Sequence, residues 1–329
     1  MKIRIRTALA TLAALALTTG PVGLAQASGN DGGGGHKTSA TKVFTLDPSV
    51  SGNNPEGVAW DNRSQSFFVG TVGTGTIYRA TLRDTTLRPF ITPDPAAPAD
   101  SAVGMKVSGG KLFVAGGPTG SIYVYEIRTG ALLARFETGP GGFLNDLVVT
   151  ERGDVYVTDS FRPMLWHLSR AMVMAGSGTP EGINVGPEIA YTAGQFNLNG
   201  IVSRRGGREL IVVSTVSMSL FRIDINPANT AARTITKIDA PQLAGDGLLI
   251  DRGRLLVVTG GPAAVTVLNL SRHDSRARVD RVLTAPSLRG PSTIARARDR
   301  YLVVNADFGT NTQPYTVSAL SRGHGEGDH

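Results

Sequence analysis

The chain has 329 residues, enough for one large domain or two of ordinary size, and its 41% hydrophobic content is typical of globular proteins. Only 18% of the residues are charged and 41 are glycine, which favours many tight turns over long helices. There is no cysteine, so thiol catalysis, thiolate metal sites and cysteine-ligated clusters are excluded.

The N-terminus has the pattern of an export signal. Three basic residues precede an apolar run over residues 7–17, and Ala25-Gln26-Ala27 supplies a small-x-small cleavage pattern. We therefore predict that residues 1–27 are a signal peptide and that the protein is secreted; an uncleaved anchor is the alternative. The apolar run is short for a membrane span, and no later stretch resembles one, so we predict no stable span after cleavage.

The formal net charge of +7 falls to +4 without the leader, with 30 basic and 26 acidic residues left. The arginines are scattered, with short clusters at Arg204-Arg205 and Arg296-Ala297-Arg298. No aromatic and basic stripe accompanies them, so we predict a solvated surface and no nucleic-acid partner. The Gly-rich residues 28–41 should form a flexible linker and the polar residues 322–329 a disordered tail.

Residues 42–321 read as β-structure with an internal repeat. Each of six units has an inner strand, a short turn, a second strand, a loop and a third strand. A fourth strand is plausible in the spacers, as at residues 132–136 and 234–238, and the spacer at 171–194 leaves room for an extra loop or short helix. Equivalent positions recur at intervals of 42 to 54 residues. This predicts an all-β, six-bladed β-propeller with four-stranded blades; two stacked β-sandwiches are the alternative.

The starts of the predicted inner strands align on a set of mostly polar residues: Glu56, Val103, Asn145, Asn199, Asp246 and Pro291. Inner strands of a propeller line a central channel, so equivalent positions should form one ring around its axis. Two carboxylates and two amide oxygens are hard donors that suit Ca²⁺, Mg²⁺ or Mn²⁺. The alternative is turn chemistry, because Asn-Gly, Asp-Gly and Glu-Gly pairs mark turns in many proteins.

These residues resemble the superfamily of senescence marker protein, gluconolactonase and luciferin-regenerating enzyme, whose members are six-bladed propellers. The resemblance covers residues 41–321 and depends on the order and spacing of short motifs, such as Glu56-Gly57-Val58-Ala59-Trp60. It implies that Glu56, Asn145, Asn199 and Asp246 bind a divalent metal, calcium first, with Mg²⁺, Mn²⁺ or Zn²⁺ as alternatives. It also implies a metal-dependent lactonase or ester hydrolase with a small-molecule substrate, in which Asp246 is the catalytic base.

The chain departs from that family at Phe143, where sugar lactonases carry a substrate-contacting arginine. A less polar substrate than a sugar acid is therefore expected. Further substrate-pocket candidates are Asp146, Asp159 and Asn305, although Asp159 could instead cap its strand and Asn305 could belong to a turn.

A histidine-driven mechanism is not expected. His167 is predicted on a third strand away from the axis, and His273 lies in a polar spacer. Serine catalysis is not supported either, because Ser160 lacks a Gly-x-Ser-x-Gly context.

Two functions remain open from the sequence. The first is an exported, monomeric, metal-dependent hydrolase. The second is a non-catalytic propeller that binds a ligand or partner protein and holds a structural metal ion, since one fold hosts both.

Overall fold

The computed structural model describes residues 40–49, 54–93, 101–226 and 229–322. The predicted signal peptide, most of the predicted linker and residues 323–329 lie outside these ranges. Strand β1 (Ala40–Leu46) begins two residues before the expected start of the repeat region at residue 42.

Within the described ranges nearly all regular structure is β. The next strands in chain order are β2 (Asn54–Asp61), β3 (Ser66–Val72), β4 (Ile77–Thr81), β5 (Thr86–Ile91), β6 (Met105–Ser108), β7 (Lys111–Ala115), β8 (Ser121–Glu126), β9 (Leu132–Glu137), β10 (Leu144–Val149), β11 (Val155–Asp159) and β12 (Met164–Leu168). The remaining strands are β13 (Glu181–Asn184), β14 (Leu198–Arg204), β15 (Glu209–Ser214), β16 (Ser219–Asn226), β17 (Asn229–Lys237), β18 (Gly245–Asp251), β19 (Arg254–Thr259), β20 (Ala264–Leu270), β21 (Ala277–Leu283), β22 (Pro291–Ala297), β23 (Arg300–Asn305) and β24 (Thr316–Ser321).

The four-stranded sheets are antiparallel meanders of strands that follow one another in the chain. Four sheets have four strands each, from β6–β9 to β18–β21, and one sheet has eight. The eight-stranded sheet consists of β2–β5 and β22–β24 joined through β1, which is antiparallel to β24 and parallel to β5. The first strand of the chain therefore completes the sheet that its last strands begin.

The first strand of each set, which we call the inner strand, contacts the inner strands on both sides. These contacts form a closed cycle that runs from β2 through β6, β10, β14, β18 and β22 back to β2. Hydrophobic clusters separate neighbouring sheets, and the second strands are almost wholly buried within them. This arrangement of four-stranded sheets around an axis is consistent with a β-propeller.

The long spacer after β12 contains the short helix that was one of the two alternatives expected there. Helix α1 (Arg170–Ala175) is capped by the Ser169 side chain, which accepts a hydrogen bond from the backbone N–H of Met172. A 3₁₀ turn, Arg205–Gly207, connects β14 and β15. In the described part of the chain, no helix is both long and apolar enough to cross a membrane.

Candidate metal and substrate site

Every inner strand carries one extra residue at the same place. In β10, for example, Leu144 pairs with Asp159 and Leu147 with Val157, so two residues of β10 face one residue of β11. The same irregularity occurs in β2, β14, β18 and β22. Before β6, the N–H of Val103 and the carbonyl of Gly104 both bond to Ala115, which produces an equivalent bulge. A bulge bends its strand and changes the direction of its side chains.

The bulged pairs contain the predicted metal ligands as their first members. They are Glu56-Gly57, Val103-Gly104, Asn145-Asp146, Asn199-Gly200, Asp246-Gly247 and Ser292-Thr293. The sequence alignment used Pro291 in the sixth unit, and this was wrong by one residue. Pro291 pairs regularly with Asn305, and Ser292 takes the bulge position.

Glycine at the second bulge position permits close approach of the next inner strand. A Cβ on Gly57 would lie 1.9 Å from the carbonyl oxygen of Val103, and a Cβ on Gly104 would lie 2.5 Å from the Cα of Asp146. The Glu-Gly, Asn-Gly and Asp-Gly pairs therefore reflect packing around the axis as well as turn chemistry.

Two of the predicted ligands present buried oxygens that have no hydrogen-bond partner among the described residues: Glu56 Oε2 and Asn145 Oδ1. The amide of Asn145 is oriented by its nitrogen, which donates to Ser160 Oγ over 2.9 Å, and Ser160 Oγ donates in turn to the carbonyl of Leu198 over 2.6 Å. An unpartnered buried oxygen costs free energy unless another group, such as an ion, satisfies it.

The other two predicted ligands adjoin this pair. Asn199 is buried, and its Nδ2 donates to Thr215 Oγ1 over 3.3 Å. Asp246 is half-buried, and its carboxylate lies near the Asn199 side chain. We refer to Glu56, Asn145, Asn199 and Asp246 together as the oxygen ring.

The two carboxylates of the oxygen ring lie close enough to affect each other. Burial raises the pKa of Glu56 well above its ordinary value, and the negative charges of Asp246 and Asp146 raise it further, while Lys106 opposes the shift. Burial also raises the pKa of Asp246 to about 8, with the charge of Asp146 as a further cause and the Asn199 hydrogen bond opposing it. Like charges buried together favour protonation, or a cation that neutralises them.

The donor set therefore fits a divalent cation. It combines two carboxylates with two amide oxygens, two of its oxygens have no protein partner, and the residues that hold it in place are themselves bonded. Across the described ranges no group of three or more His, Cys, Asp or Glu side chains is arranged to hold a metal ion.

Asp146 is adjacent to the oxygen ring but is already well bonded. Its Oδ1 accepts from Lys106 Nζ over 2.8 Å and from the N–H of Leu147 over 2.8 Å. Asp146 therefore connects the oxygen ring to a lysine on the neighbouring inner strand. The sequence analysis missed Lys106, although the repeat contains the signal: Lys106 occupies the register position that Ala59, Val148 and Val202 occupy in other units.

The remaining pocket candidates have different surroundings. Asp159 is fully buried, and its carboxylate accepts from the backbone N–H groups of Phe143, Phe161 and Arg162, from the Arg162 side chain and from Trp166. This carboxylate holds a loop in place and has no oxygen left for a substrate.

Asn305 is also fully buried and bonded. Its Oδ1 accepts from the N–H of Arg289, and its Nδ2 donates to Ser287, Thr316 and Ser318. Like Asp159, it stabilises the structure and is not brought to the oxygen ring.

Phe143 belongs to an aromatic cluster beside the oxygen ring. Its ring centroid lies 5.4 Å from that of Phe161 and 5.0 Å from that of Phe196, and the last two are 5.1 Å apart. Phe143 is buried, whereas Phe161 and Phe196 are half-buried. Because Phe143 lies two residues before Asn145, this cluster forms an apolar wall near the oxygen ring.

His167 packs within the third sheet, as expected. It stacks on Tyr156 with centroids 4.7 Å apart and contacts Glu181 over 3.2 Å and Asp154 over 3.6 Å.

No protein-family model and no curated protein matches the chain. Solved structures do match it. A calcium-binding protein, regucalcin, from Agrobacterium tumefaciens is 16% identical, with a TM-score of 0.59, over 82% of this chain and 91% of that one. A gluconolactonase from Xanthomonas campestris is also 16% identical, with a TM-score of 0.60, over 87% of this chain and 94% of that one. The chain has the fold of the regucalcin and gluconolactonase β-propellers.

The same fold also carries other chemistry. A streptogramin B lyase matches over 85% of this chain and 97% of its own length, with a TM-score of 0.55 and 11% identity. At these identities the likeness shows the fold alone, and any activity has to be argued from the site.

Proposed function

We propose that this protein is a six-bladed β-propeller hydrolase that opens lactones or esters with the help of a divalent cation held by the oxygen ring. The blade number is supported by the closed cycle of inner-strand contacts, in which each inner strand begins one four-stranded set. We also propose that residues 1–27 direct export and that the mature protein is a monomer.

One observation carries the proposal: the unpartnered oxygens of Glu56 and Asn145 lie beside a second buried carboxylate, Asp246. Calcium is the first choice of ion, because hard oxygen donors without sulfur or imidazole favour it and a structural neighbour is a calcium-binding protein. Mg²⁺, Mn²⁺ and Zn²⁺ are the alternatives.

In this mechanism the protein positions a water molecule and moves its proton. When bound, the cation polarises the carbonyl oxygen of the substrate and lowers the pKa of water. Asp246 accepts the proton of the water whose oxygen forms a bond to the carbonyl carbon. The ester C–O bond then breaks, and the leaving alkoxide takes the proton from Asp246 to give a hydroxy acid or an alcohol and an acid.

Two variants of Asp246 test this function. In Asp246→Ala both a ligand and the base are lost, so cation binding and turnover should disappear. In Asp246→Asn an oxygen ligand remains without a base, so kcat should fall by roughly 100-fold or more while a cation still binds. Lactones and aryl esters would be assayed after chelation and reloading with each metal, with calorimetry for cation binding.

The surface variant Asp280→Ala is the control. Unchanged turnover in both Asp246 variants would reject the catalytic assignment. A bound cation without turnover of any ester in the wild-type protein would favour the second function, a non-catalytic ligand-binding propeller.

The aromatic cluster of Phe143, Phe161 and Phe196 indicates the substrate class. Its apolar surface stabilises an alkyl or aryl group better than a polyhydroxylated ring. In Phe196→Ala, kcat/KM for an alkyl-substituted lactone should fall by about tenfold, with little change for gluconolactone. Equal losses for both lactones would contradict an apolar substrate. The matched control is Phe90→Ala, because Phe90 is also half-buried but lies in another sheet. Phe136 is not suitable as a control, because it is fully buried between sheets.

A further inference from the structure

A second cavity lies farther along the inner strands than the oxygen ring. It has a volume of about 460 Å³ and is lined by the later parts of all the inner strands, including Val58, Val149, Ile201 and Leu249. Its first lining residue in β2, Val58, comes two residues after Glu56, and the lining continues to Trp60. This cavity, which we call the far chamber, is therefore separate from the oxygen ring but adjacent to it.

The walls of the far chamber are mainly aliphatic. Most lining residues are Val, Ile, Leu or Ala, and the indole of Trp60 adds a further apolar surface. Water gains few hydrogen bonds from such walls, so an apolar group of fitting size would be stabilised by displacing it. The volume falls in the range of small-molecule sites.

The charged side chains that line the far chamber carry a net positive charge, because Lys106 and Arg296 are positive and only Glu151 is negative. Arg296 also forms an ion pair outside the lining, with its Nη1 3.4 Å from Asp251 Oδ1. The Lys106 side chain is 29% exposed, and its ammonium bonds to Asp146 over 2.8 Å. An ammonium has three N–H donors, so Lys106 can hold Asp146 and still donate to a second anion.

Ser203 also lines the far chamber, so a larger side chain at this position would reduce the volume available to a ligand.

We propose that the far chamber binds a small monocarboxylate with an aliphatic or aryl body, its carboxylate on Lys106 and its apolar part against the aliphatic walls. This site does not depend on the proposed hydrolase function.

Fluorescence of Trp60 provides the test, because the chain has only two tryptophans. In a Trp166→Phe background, octanoate is titrated in the presence of chelator, with 1-octanol and acetate as probes that carry only the tail or only the charge. We expect octanoate to produce a saturable change in Trp60 fluorescence. Octanol should bind at least about tenfold more weakly than octanoate, and acetate should not bind. Calorimetry on the unmodified chain gives the same comparison if Trp166→Phe folds poorly.

Variants then locate the site. Lys106→Met should weaken octanoate binding at least about tenfold, Lys106→Arg should restore most of it, and Ser203→Phe should abolish it by filling the far chamber. Asp246→Ala should leave it unchanged. The proposal is overturned if octanoate does not saturate, if octanol binds equally well, if Ser203→Phe binds as the parent does, or if binding requires an added cation.

Discussion

The oxygen ring and the arginine-bonded carboxylates both include buried acidic side chains, yet their surroundings are opposite. Asp251 accepts hydrogen bonds from Arg322 at 2.5 and 2.7 Å and from Tyr301 at 2.7 Å, and these lower its pKa although burial opposes the change. Glu56 has no such cation of its own, and its pKa rises. A buried carboxylate is thus stabilised by protein donors at Asp251, whereas the carboxylate of Glu56 is available to an external cation.

The largest expected effect concerns Asp159, which belongs to the bonded group. Asp159→Ala would remove the acceptor of Arg162 Nε and of three backbone N–H groups, and should lower the free energy of unfolding by about 3–5 kcal/mol. Urea denaturation in the presence of chelator measures this change. The control is Asp280→Ala, an exposed carboxylate in surface ion pairs, which should cost less than about 1 kcal/mol. Similar losses in both variants would contradict a structural role for Asp159.

Glu56→Gln should have a smaller effect of opposite sign. It removes one of the like charges around the oxygen ring, so the chelated protein should gain about 1 kcal/mol in its free energy of unfolding at pH 8. At the same time, the rise in Tm on adding Ca²⁺ should shrink. The exposed Glu137→Gln variant is the control and should change neither quantity appreciably. A destabilised Glu56→Gln protein with an undiminished calcium response would remove Glu56 from the oxygen ring.

The last expected effect concerns the pH dependence of stability at Glu209, which combines features of both groups. Burial raises its pKa from the ordinary 4.5 to about 7, a hydrogen bond to Asp274 contributes, and Arg205 and Arg222 oppose the shift. Arg204, which bonds Asp274 at 2.6 and 2.9 Å, also faces the pair. Because the folded state holds this proton more tightly, its contribution to stability is complete below pH 4.5 and is lost as the pH rises through about 7.

Urea denaturation of Glu209→Gln and the parent chain between pH 4 and pH 8 tests this contribution. The variant should show a shallower decline of stability with rising pH over that window, and the slopes of the two curves should differ most near its middle. Parallel curves would show that Glu209 holds no extra proton in the folded state.

Much of the fold could be predicted from the repeat, because the buried second strand of each unit appears in the sequence as a nearly continuous apolar run. The starts of the inner strands were found within two residues, and the misplacement of the bulge position at Pro291 has a physical cause. The bulge that defines the ligand position inserts one residue but does not change the pattern of apolar residues along the strand. Only the backbone pairing therefore shows where the bulge lies.

The site was less predictable than the fold. Asp159 and Asn305 have the same polar side chains as the oxygen ring, and only their contacts show that they are fully bonded. Lys106 was overlooked because a single lysine in a strand usually faces solvent. Its significance comes from Asp146, which is 40 residues away in the sequence but 2.8 Å away in space.

The pairing of β1 with β24 has a consequence for how the protein is made. Lys42 lies opposite Ala319, so the contact that closes the circle joins nearly the first and last described segments of the polypeptide. A chain emerging from a ribosome therefore cannot complete this sheet until β24 has been synthesised. Until then β1 has no antiparallel partner, so closure of the sheet is a long-range event that must wait for a segment more than 270 residues further along the chain.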